Sequence, residues 1–481
     1  MTAFPSLLVF GLDGLSPDVL RALSGAGHLP HLAEFARAAT LDAVTRCTWP
    51  PHTASGWTTL FSGRLPGEHG HYQFWSCDPA ESALRPLARH EAGVEFVWDR
   101  LNRDGRTVGL VNVPMTHPPQ GLDGYEFTWP LTTTLRYSHP PGLLGEIVEA
   151  GGLALPDIAC MYRGDRSYWR QAVTTIRRRT RGILHLMDVR PVDALFVVYP
   201  EVDRICHHYW PSFDHAHPEH EAVPETEAAA LPAVARALDD AFAAILAKAG
   251  PAAAVLVASD HGFGPATRAL RVERVLADHG LLTFDASGDA DRTLSRAWLA
   301  APGSYALNLD AAVGGRVRDL MLGLRGPDGG PVFQAAVDAD RAYGGPARHT
   351  APDLLLVPSD PGLVVLPGDG PPWDQPGVNG THRMEGVAMA RIPGAPRCDA
   401  NRVPLEAVMD FVLGGGRGDF GSPLAALRER GIPDVAWSGR GERIDLRPRP
   451  GAVAEPDAAD EPGAIESEAS AAERLRLMGY L

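Results

Sequence analysis

The stretch AAAVLVASDHG, Ala252–Gly262, decides the fold. Its opening run, Ala252 to Ala258, is small and apolar with no polar interruption, which reads as a strand buried on both faces, as in parallel sheets. The run then breaks into Ser259, Asp260, His261 and Gly262. Open α/β sheets bind ligands beyond the carboxyl ends of their strands, where Asp260 and His261 would stand. A carboxylate oxygen beside an imidazole nitrogen suits a divalent transition metal.

The arrangement recurs along the chain. LLVFGLDG (7–14) ends an apolar run in Asp13, DALFVVYPEVDRICHH (193–208) ends another in Asp203 and His207, and NGTHRMEG (379–386) carries His382. Asp13, Asp260 and His261 then make one ligand set, and Asp203, His207 and His382 a second. Two metal ions with three protein ligands each would keep positions open for a nucleophile and a substrate. Each piece alone has a plainer reading. Asp13 and Asp260 are ordinary turn or N-cap residues, His382 is an ordinary surface or packed histidine, and Asp203 and His207 share a face if helical, as chance i,i+4 pairs also do. What favours metal is the joint pattern, ligands after three separate strands plus a fourth element.

The chain has 481 residues, 45% of them hydrophobic, enough for a large core and for more than one domain. Its net charge of −15 (44 basic against 59 acidic residues) argues against a long nucleic acid as partner, whereas a small phosphate compound held by metals remains compatible. No window approaches the roughly 18 apolar residues of a membrane span. The opening MTAFPSLLVFGLDG has neither a basic flank nor a signal-length apolar segment, and five scattered cysteines without a CxxC read as free thiols. These features predict a cytoplasmic protein.

Alternating strand and helix patterns predict a mostly parallel sheet with helices on both faces, in the α/β class. Thr107–Pro114, DALFVVYP, AAAVLVASD and APDLLLVPS join the first run as strands. A helix should follow Ser16 and Pro17, good N-cap and N1 residues, and another should run from about Leu231 to Lys248, burying Leu238, Phe242 and Ile245. Arg163–Met187 is basic and helical in pattern, with RRRTR at 177–181 reading as a solvated face. Residues 270–345 should form a smaller inserted cap on a catalytic unit spanning 1–445. An acidic, Pro/Ala-rich linker over 446–470 and a short docking helix over 471–481 should follow.

A two-metal site needs an oxygen nucleophile. In TRCTWPPHTASGWTTLFSGRLPGEHG, Pro50 and Pro51 force an extended approach, after which TASGWTTLFSG can begin a helix. Thr53 would stand at that helix N-terminus, where the dipole and backbone N–H groups favour an alkoxide and an incoming phosphate. A plain N-cap threonine fits the segment as well, and Thr48 is a rival position.

These motifs resemble the alkaline phosphatase superfamily, in particular the type I phosphodiesterase / nucleotide pyrophosphatase family and its bacterial predicted phosphohydrolase/phosphomutase branch. The resemblance spans nearly the whole chain: GLDG, LPHLAEFARAAT, WPPHTASGWTTLFSGRLPGEHG, VDALFVVYPEVDRICHHYW, VASDHGFGP, NGTHRMEGVAM and RLRLMGYL. It implies an alkaline-phosphatase-like core with Asp13, Thr53, Asp260 and His261 around one zinc and Asp203, His207 and His382 around the other. It also favours Thr53 over Thr48, because the family's nucleophile stands ten residues before the glycine matched here by Gly63. One departure concerns the substrate. Nucleotide pyrophosphatases of this type place an asparagine after the HG, where its amide contacts a phosphoryl oxygen; this chain has Phe74 there, flanked by Gln73 and Trp75.

The expected activity is therefore two-metal hydrolysis of a phosphodiester or nucleotide pyrophosphate through a phosphoryl-threonine, with zinc first and manganese or iron as alternatives. The substrate would be a small phosphate ester, with nucleotide conjugates among the candidates, and Trp49, Phe74, Trp75, Tyr162 and Trp169 a candidate stacking wall. A phosphomutase or a phosphomonoester or phosphonate hydrolase on the same scaffold is the alternative, and a non-catalytic binding protein the third reading. A formylglycine sulfatase is disfavoured, since no CxPxR or SxPxR motif occupies the nucleophile segment. The intact ligand set disfavours a decayed site.

Overall fold

The computed structural model describes residues 5–418 apart from 82, 132, 133, 135 and 153–165, together with 420, 444 and 446. Along the chain its strands are β1 (Leu7–Leu12), β2 (Leu41–Arg46), β3 (Val108–Val113), β4 (Gly124–Thr128), β5 (Ser138–His139), β6 (Ala194–Tyr199), β7 (Ala254–Ala258), β8 (Gly262–Pro265) and β9 (Arg268–Arg271). They continue as β10 (Ala297–Leu299), β11 (Ala306–Leu309), β12 (Phe333–Asp338), β13 (Leu354–Pro358), β14 (Leu363–Leu366), β15 (Trp373–Asp374), β16 (Gly380–Arg383), β17 (Glu385–Arg391) and β18 (Arg402–Pro404).

Nine strands form the central sheet in the order β18-β2-β17-β7-β1-β6-β3-β4-β5. All but β17 and β5 point the same way, as the pairings of β1 with β6 and β7, of β3 with β4 and β6, and of β18 with β2 are parallel. β1 is buried along its whole length, which is why it reads as an unbroken apolar run. Leu8, Phe10, Leu195 and Val255 face the helices Tyr168–Val189 and Ala230–Ala249. Val9, Phe196 and Leu256 face Thr53–Ser62, Val97–Arg103 and Leu405–Leu413 on the other side. Helices thus cover both faces, as the alternating pattern predicts.

The predicted elements appear with small shifts of boundary. The first helix is Pro17–Gly25, and Ser16 Oγ accepts the Val19 N–H at 3.2 Å, a cap worth about 1 kcal/mol. The Leu231–Lys248 helix runs from Ala230 to Ala249 and buries Leu238, Phe242 and Ile245. APDLLLVPS departs from the sequence reading: β13 belongs to a separate antiparallel sheet, β10-β11-β13-β12, and not to the central one. That second sheet therefore reaches past the expected limit of 345, to Pro358. A short apolar run bounded by turns reports burial without saying against which sheet.

RRRTR also needs correcting. Arg179 is buried beside Glu201, Nη1 to Oε1 2.5 Å, so this helix face is not uniformly solvated. No helix among the described residues is long and apolar enough to cross a membrane. The expected linker and terminal helix, Leu446 apart, lie outside the described residues.

Candidate metal centre and nucleophile

Three neighbouring strands, β7, β1 and β6, end at the same sheet edge, and each delivers an aspartate there. Asp13 follows β1 directly, Asp260 stands two residues after β7, and Asp203 lies in the first turn of helix Glu201–Tyr209 beyond β6. All three are buried, and in each a protein donor holds one oxygen. Trp57 Nε1 donates to Asp13 Oδ2 at 3.2 Å, the Gly14 N–H to Asp260 Oδ1 at 3.3 Å, and Arg204 Nη1 to Asp203 Oδ2 at 2.7 Å. The Trp57 contact needs Gly11, where a Cβ would come within 2.5 Å of the indole.

The opposite oxygens face imidazole nitrogens. Asp13 Oδ1 and Asp260 Oδ2 lie 3.5 and 3.4 Å from His261 Nε2. Asp203 Oδ1 lies 3.6 Å from His207 Nε2 and 3.3 Å from His382 Nε2, and those two nitrogens are 3.2 Å apart. His382 gets there through the ladder of β16 with β8, which pairs it with Phe263, two residues past His261. A wider grouping sets His261 with Asp203 and His382, and the His261 and His382 rings stack with centroids 3.8 Å apart. Its His261–Asp203 separation is 4.0 Å, so His207 makes the tighter partner for Asp203 and His382.

Each imidazole is oriented from behind. Nδ1 of His207, His261 and His382 lies 2.9, 3.0 and 3.4 Å from the carbonyls of Gly380, Gly262 and Pro51. A carbonyl only accepts, so Nδ1 carries the proton and Nε2 presents a lone pair to the carboxylates, the arrangement seen behind metal-ligating histidines. Carboxylate oxygens and imidazole lone pairs facing one another in a buried space repel unless a cation lies between them. Nitrogen and oxygen ligands at roughly 2.0–2.1 Å from a tetrahedral ion would stand about 3.3 Å apart, close to the separations found here.

Electrostatics point the same way. Burial, then the Asp260 and Asp203 charges, pushes the Asp13 carboxyl well above its usual range. Burial, then Asp203, does the same to Asp260. Burial works against Asp203 too, but the facing His207 and His382 and the Arg204 guanidinium outweigh it and hold this carboxyl well below the usual range. Burial pushes His207 down to about 4, so at neutral pH Arg204 is the fixed cation beside Asp203.

Thr53 begins helix Thr53–Ser62, and its Oγ1 is 3.1 Å from His261 Nε2. Thr48 is turned elsewhere, with Oγ1 2.7 Å from Ser55 Oγ and 3.3 Å from the Pro50 carbonyl. The seven residues Asp13, Thr53, Asp203, His207, Asp260, His261 and His382 thus meet at one place. The substrate candidates Gln73, Phe74 and Trp75 are all buried, and of these Phe74 packs its ring on His52, 4.8 Å between centroids, and on Trp129 at 5.3 Å. Trp169 is a buried residue of helix Tyr168–Val189, packed in the core on that face of the sheet; Tyr162 lies outside the described residues.

Arg204 and His52 were not singled out by sequence. Arg204 is buried between Asp203 and the Trp129 ring, 5.8 Å from its centroid. Its only sequence signal is a basic charge directly after Asp203 in a helix start that is otherwise acidic.

An α/β sheet that gathers aspartates, histidines and a helix-terminal threonine at its carboxyl edge defines a phosphoester-hydrolase type of protein. The chain belongs to the type I phosphodiesterase / nucleotide pyrophosphatase family, which matches residues 7–387. In fold it is similar to phosphonoacetate hydrolase from Sinorhizobium meliloti, solved with phosphonoformate and with phosphonoacetate, at 14% identity over 86% of this chain and 97% of that one, TM-score 0.58. Mouse ectonucleotide pyrophosphatase / phosphodiesterase 5, in an inactive threonine-to-alanine form with AMP, is also 14% identical, over 88% of this chain and 99% of that one, TM-score 0.56. No curated protein matches the sequence significantly.

Proposed function

We propose that the protein is a two-metal phosphohydrolase that cleaves a phosphodiester or nucleotide pyrophosphate bond, with Thr53 as nucleophile. The observation that carries this reading is Thr53 Oγ1 at the start of a helix, 3.1 Å from His261 Nε2, beside three buried aspartates each with one oxygen held by a protein donor. Asp13, Thr53, Asp260 and His261 would hold one divalent cation and Asp203, His207 and His382 the other. Zinc suits this mixed oxygen–nitrogen set, and manganese or iron is not excluded by it. Bound there, the two ions would neutralise the carboxylates, lower the pKa of the Thr53 hydroxyl and offset charge on the transferring phosphoryl group.

Thr53 Oγ, its proton lost to solvent, attacks phosphorus in line. The Oγ–P bond forms as the bond to the leaving alcohol or phosphate breaks, and the helix N-terminus favours the anionic group. Water then adds to the phosphothreonine, the P–Oγ bond breaks and Thr53 regains its proton. Arg204 keeps Asp203 ionised and oriented through both steps. The substrate is read as a small phosphate ester, and Phe74 and Trp129 supply an apolar wall beside the site. We read the location as cytoplasmic, since the described cysteines Cys47, Cys77, Cys206 and Cys398 are free thiols.

The test is a substrate panel on metal-loaded protein: a bis-aryl phosphate, an aryl monophosphate, phosphonoacetate, nucleotide sugars and CDP-alcohols. Preference for the diester or the pyrophosphates supports the reading. Preference for the monoester or the phosphonate moves it to the alternative activities on the same scaffold.

A further inference from the structure

His52 immediately precedes Thr53 and caps its helix. Its Nδ1 accepts the Ala54 N–H at 3.1 Å, so that nitrogen carries no proton and the ring proton is on Nε2. The residue is 8% exposed, and the one hydrogen bond found for its ring among the described residues is at Nδ1. An N–H that no protein group accepts, on a side chain nearly closed off from solvent, is open to an acceptor that arrives from outside. The ring is wedged between the site and the wall: 6.2 Å from the His382 ring centroid and edge-on to Phe74 at 4.8 Å. Phe74 is the position where the resembling diesterases carry an amide, and a benzyl ring can donate no hydrogen bond. The site therefore lacks a side-chain donor at one place and holds a spare one beside it.

We propose that His52 contacts the substrate, donating its Nε2–H to a non-bridging oxygen on phosphorus and replacing the amide that Phe74 cannot supply. This rests on the phosphohydrolase reading. It makes one residue serve twice, with Nδ1 fixing the helix that carries Thr53 and Nε2 fixing the group that Thr53 attacks. The edge-on Phe74 ring limits rotation of the imidazole, so the donor is preorganised.

His52→Ser separates the two roles, because serine caps a helix as well as any residue but has no reach beyond it. The full-length, zinc-loaded variant should keep its Tm and zinc content, lose roughly a hundredfold in kcat/KM on bis(p-nitrophenyl) phosphate, and lose it mainly in kcat. In the Thr53→Ala background, His52→Ser should weaken binding of inorganic phosphate about tenfold by calorimetry. His52→Asn, which keeps the cap and offers a shorter amide donor, should recover part of both losses. Wild-type turnover and phosphate affinity in His52→Ser would overturn the proposal, as would a loss explained by missing zinc. Should His52→Ser fail to fold, wild-type protein 15N-labelled at histidine decides: phosphate must shift a protonated Nε2 resonance, and an unmoved set of Nε2 resonances overturns the proposal. If the wild type hydrolyses none of the phosphorus esters but phosphate binding still depends on His52, the proposed activity fails and this contact stands. No phosphate binding in the wild type overturns both.

Discussion

Gly56→Ala should damage the centre without removing a polar group. Gly56 sits one turn into helix Thr53–Ser62 and packs on Asp260; an added Cβ would lie 2.9 Å from Asp260 Cβ and 3.1 Å from its carbonyl oxygen. Unstrained carbon contacts begin near 3.5 Å, so the helix and the β7 terminus must part by about 0.6 Å. Thr53 rides on one of these elements and Asp260 on the other, and metal–ligand distances tolerate only about 0.2 Å. Overpacking costs roughly 1–3 kcal/mol, against a helix-propensity gain of about 1 kcal/mol for alanine, so Tm should change little. Metal affinity at the Asp13/Asp260/His261 set should fall about 10- to 100-fold, with kcat/KM following, and the other set should hold. Zinc titration against a chromogenic chelator resolves the two sets, and Gly145→Ala, where nothing lies within 4 Å, is the control. Full affinity at both sets with unaltered kcat/KM would refute the idea that this contact positions Asp260 against Thr53.

Thr53→Ala should keep the fold and metal content while losing several orders of magnitude in turnover, whereas Thr48→Ala, which loses the Ser55, Pro50 and Cys47 contacts, should cost about 1 kcal/mol of stability and little activity; paired assays with metal analysis decide between them. Arg204→Met leaves Asp203 Oδ2 without its 2.7 Å donor and should lower zinc affinity about 10- to 100-fold, with Arg204→Lys intermediate; equal affinity in all three proteins counts against the positioning role. His71 is pushed by burial down to about 4 from 6.5, so the unfolded chain takes up its proton first as pH falls. The stability it supports is complete above pH 6.5 and should be lost between 6.5 and 4, on the order of 3 kcal/mol. Denaturant melts of wild type and His71→Asn should diverge over that window, and parallel curves would contradict the assignment.

The candidate site was legible because its aspartates end conspicuous apolar runs: a charge after six buried residues has little reason to be there except capping or chemistry. Asp203 and His207 were legible from their i,i+4 spacing, which helix Glu201–Tyr209 turns into a shared face. The donors behind the ligands were not. Trp57 reads as a core aromatic, and Arg204 as a solvated charge, until tertiary packing aims them at Asp13 and Asp203. Arg179 misled for the same reason, since burial of one arginine in a basic run depends on Glu201 arriving from a different element. His52 carries only the sequence signal of any histidine near a proline pair. Its significance comes from which ring nitrogen the helix uses.

Sheet register explains why the carboxylates meet at all. Gly11 pairs with Ala258 in the parallel β1–β7 ladder, so Asp13 and Asp260 each stand two residues past the same rung. Leu12 pairs with Tyr199 on the other side, which starts the Asp203 helix one rung above. Parallel strands in this register cannot keep the two aspartates apart. The chain offsets part of their repulsion by anchoring Asp13 Oδ2 on Trp57 and Asp260 Oδ1 on Gly14, which leaves Asp13 Oδ1 and Asp260 Oδ2 facing the His261 lone pair. Burial above all, and the Asp203 charge beside them, raises the pKa of both carboxyls and destabilises the ion-free protein. A cation bound in that arrangement would share one free energy with folding, so the sheet that creates the repulsion would also set how tightly the site holds an ion.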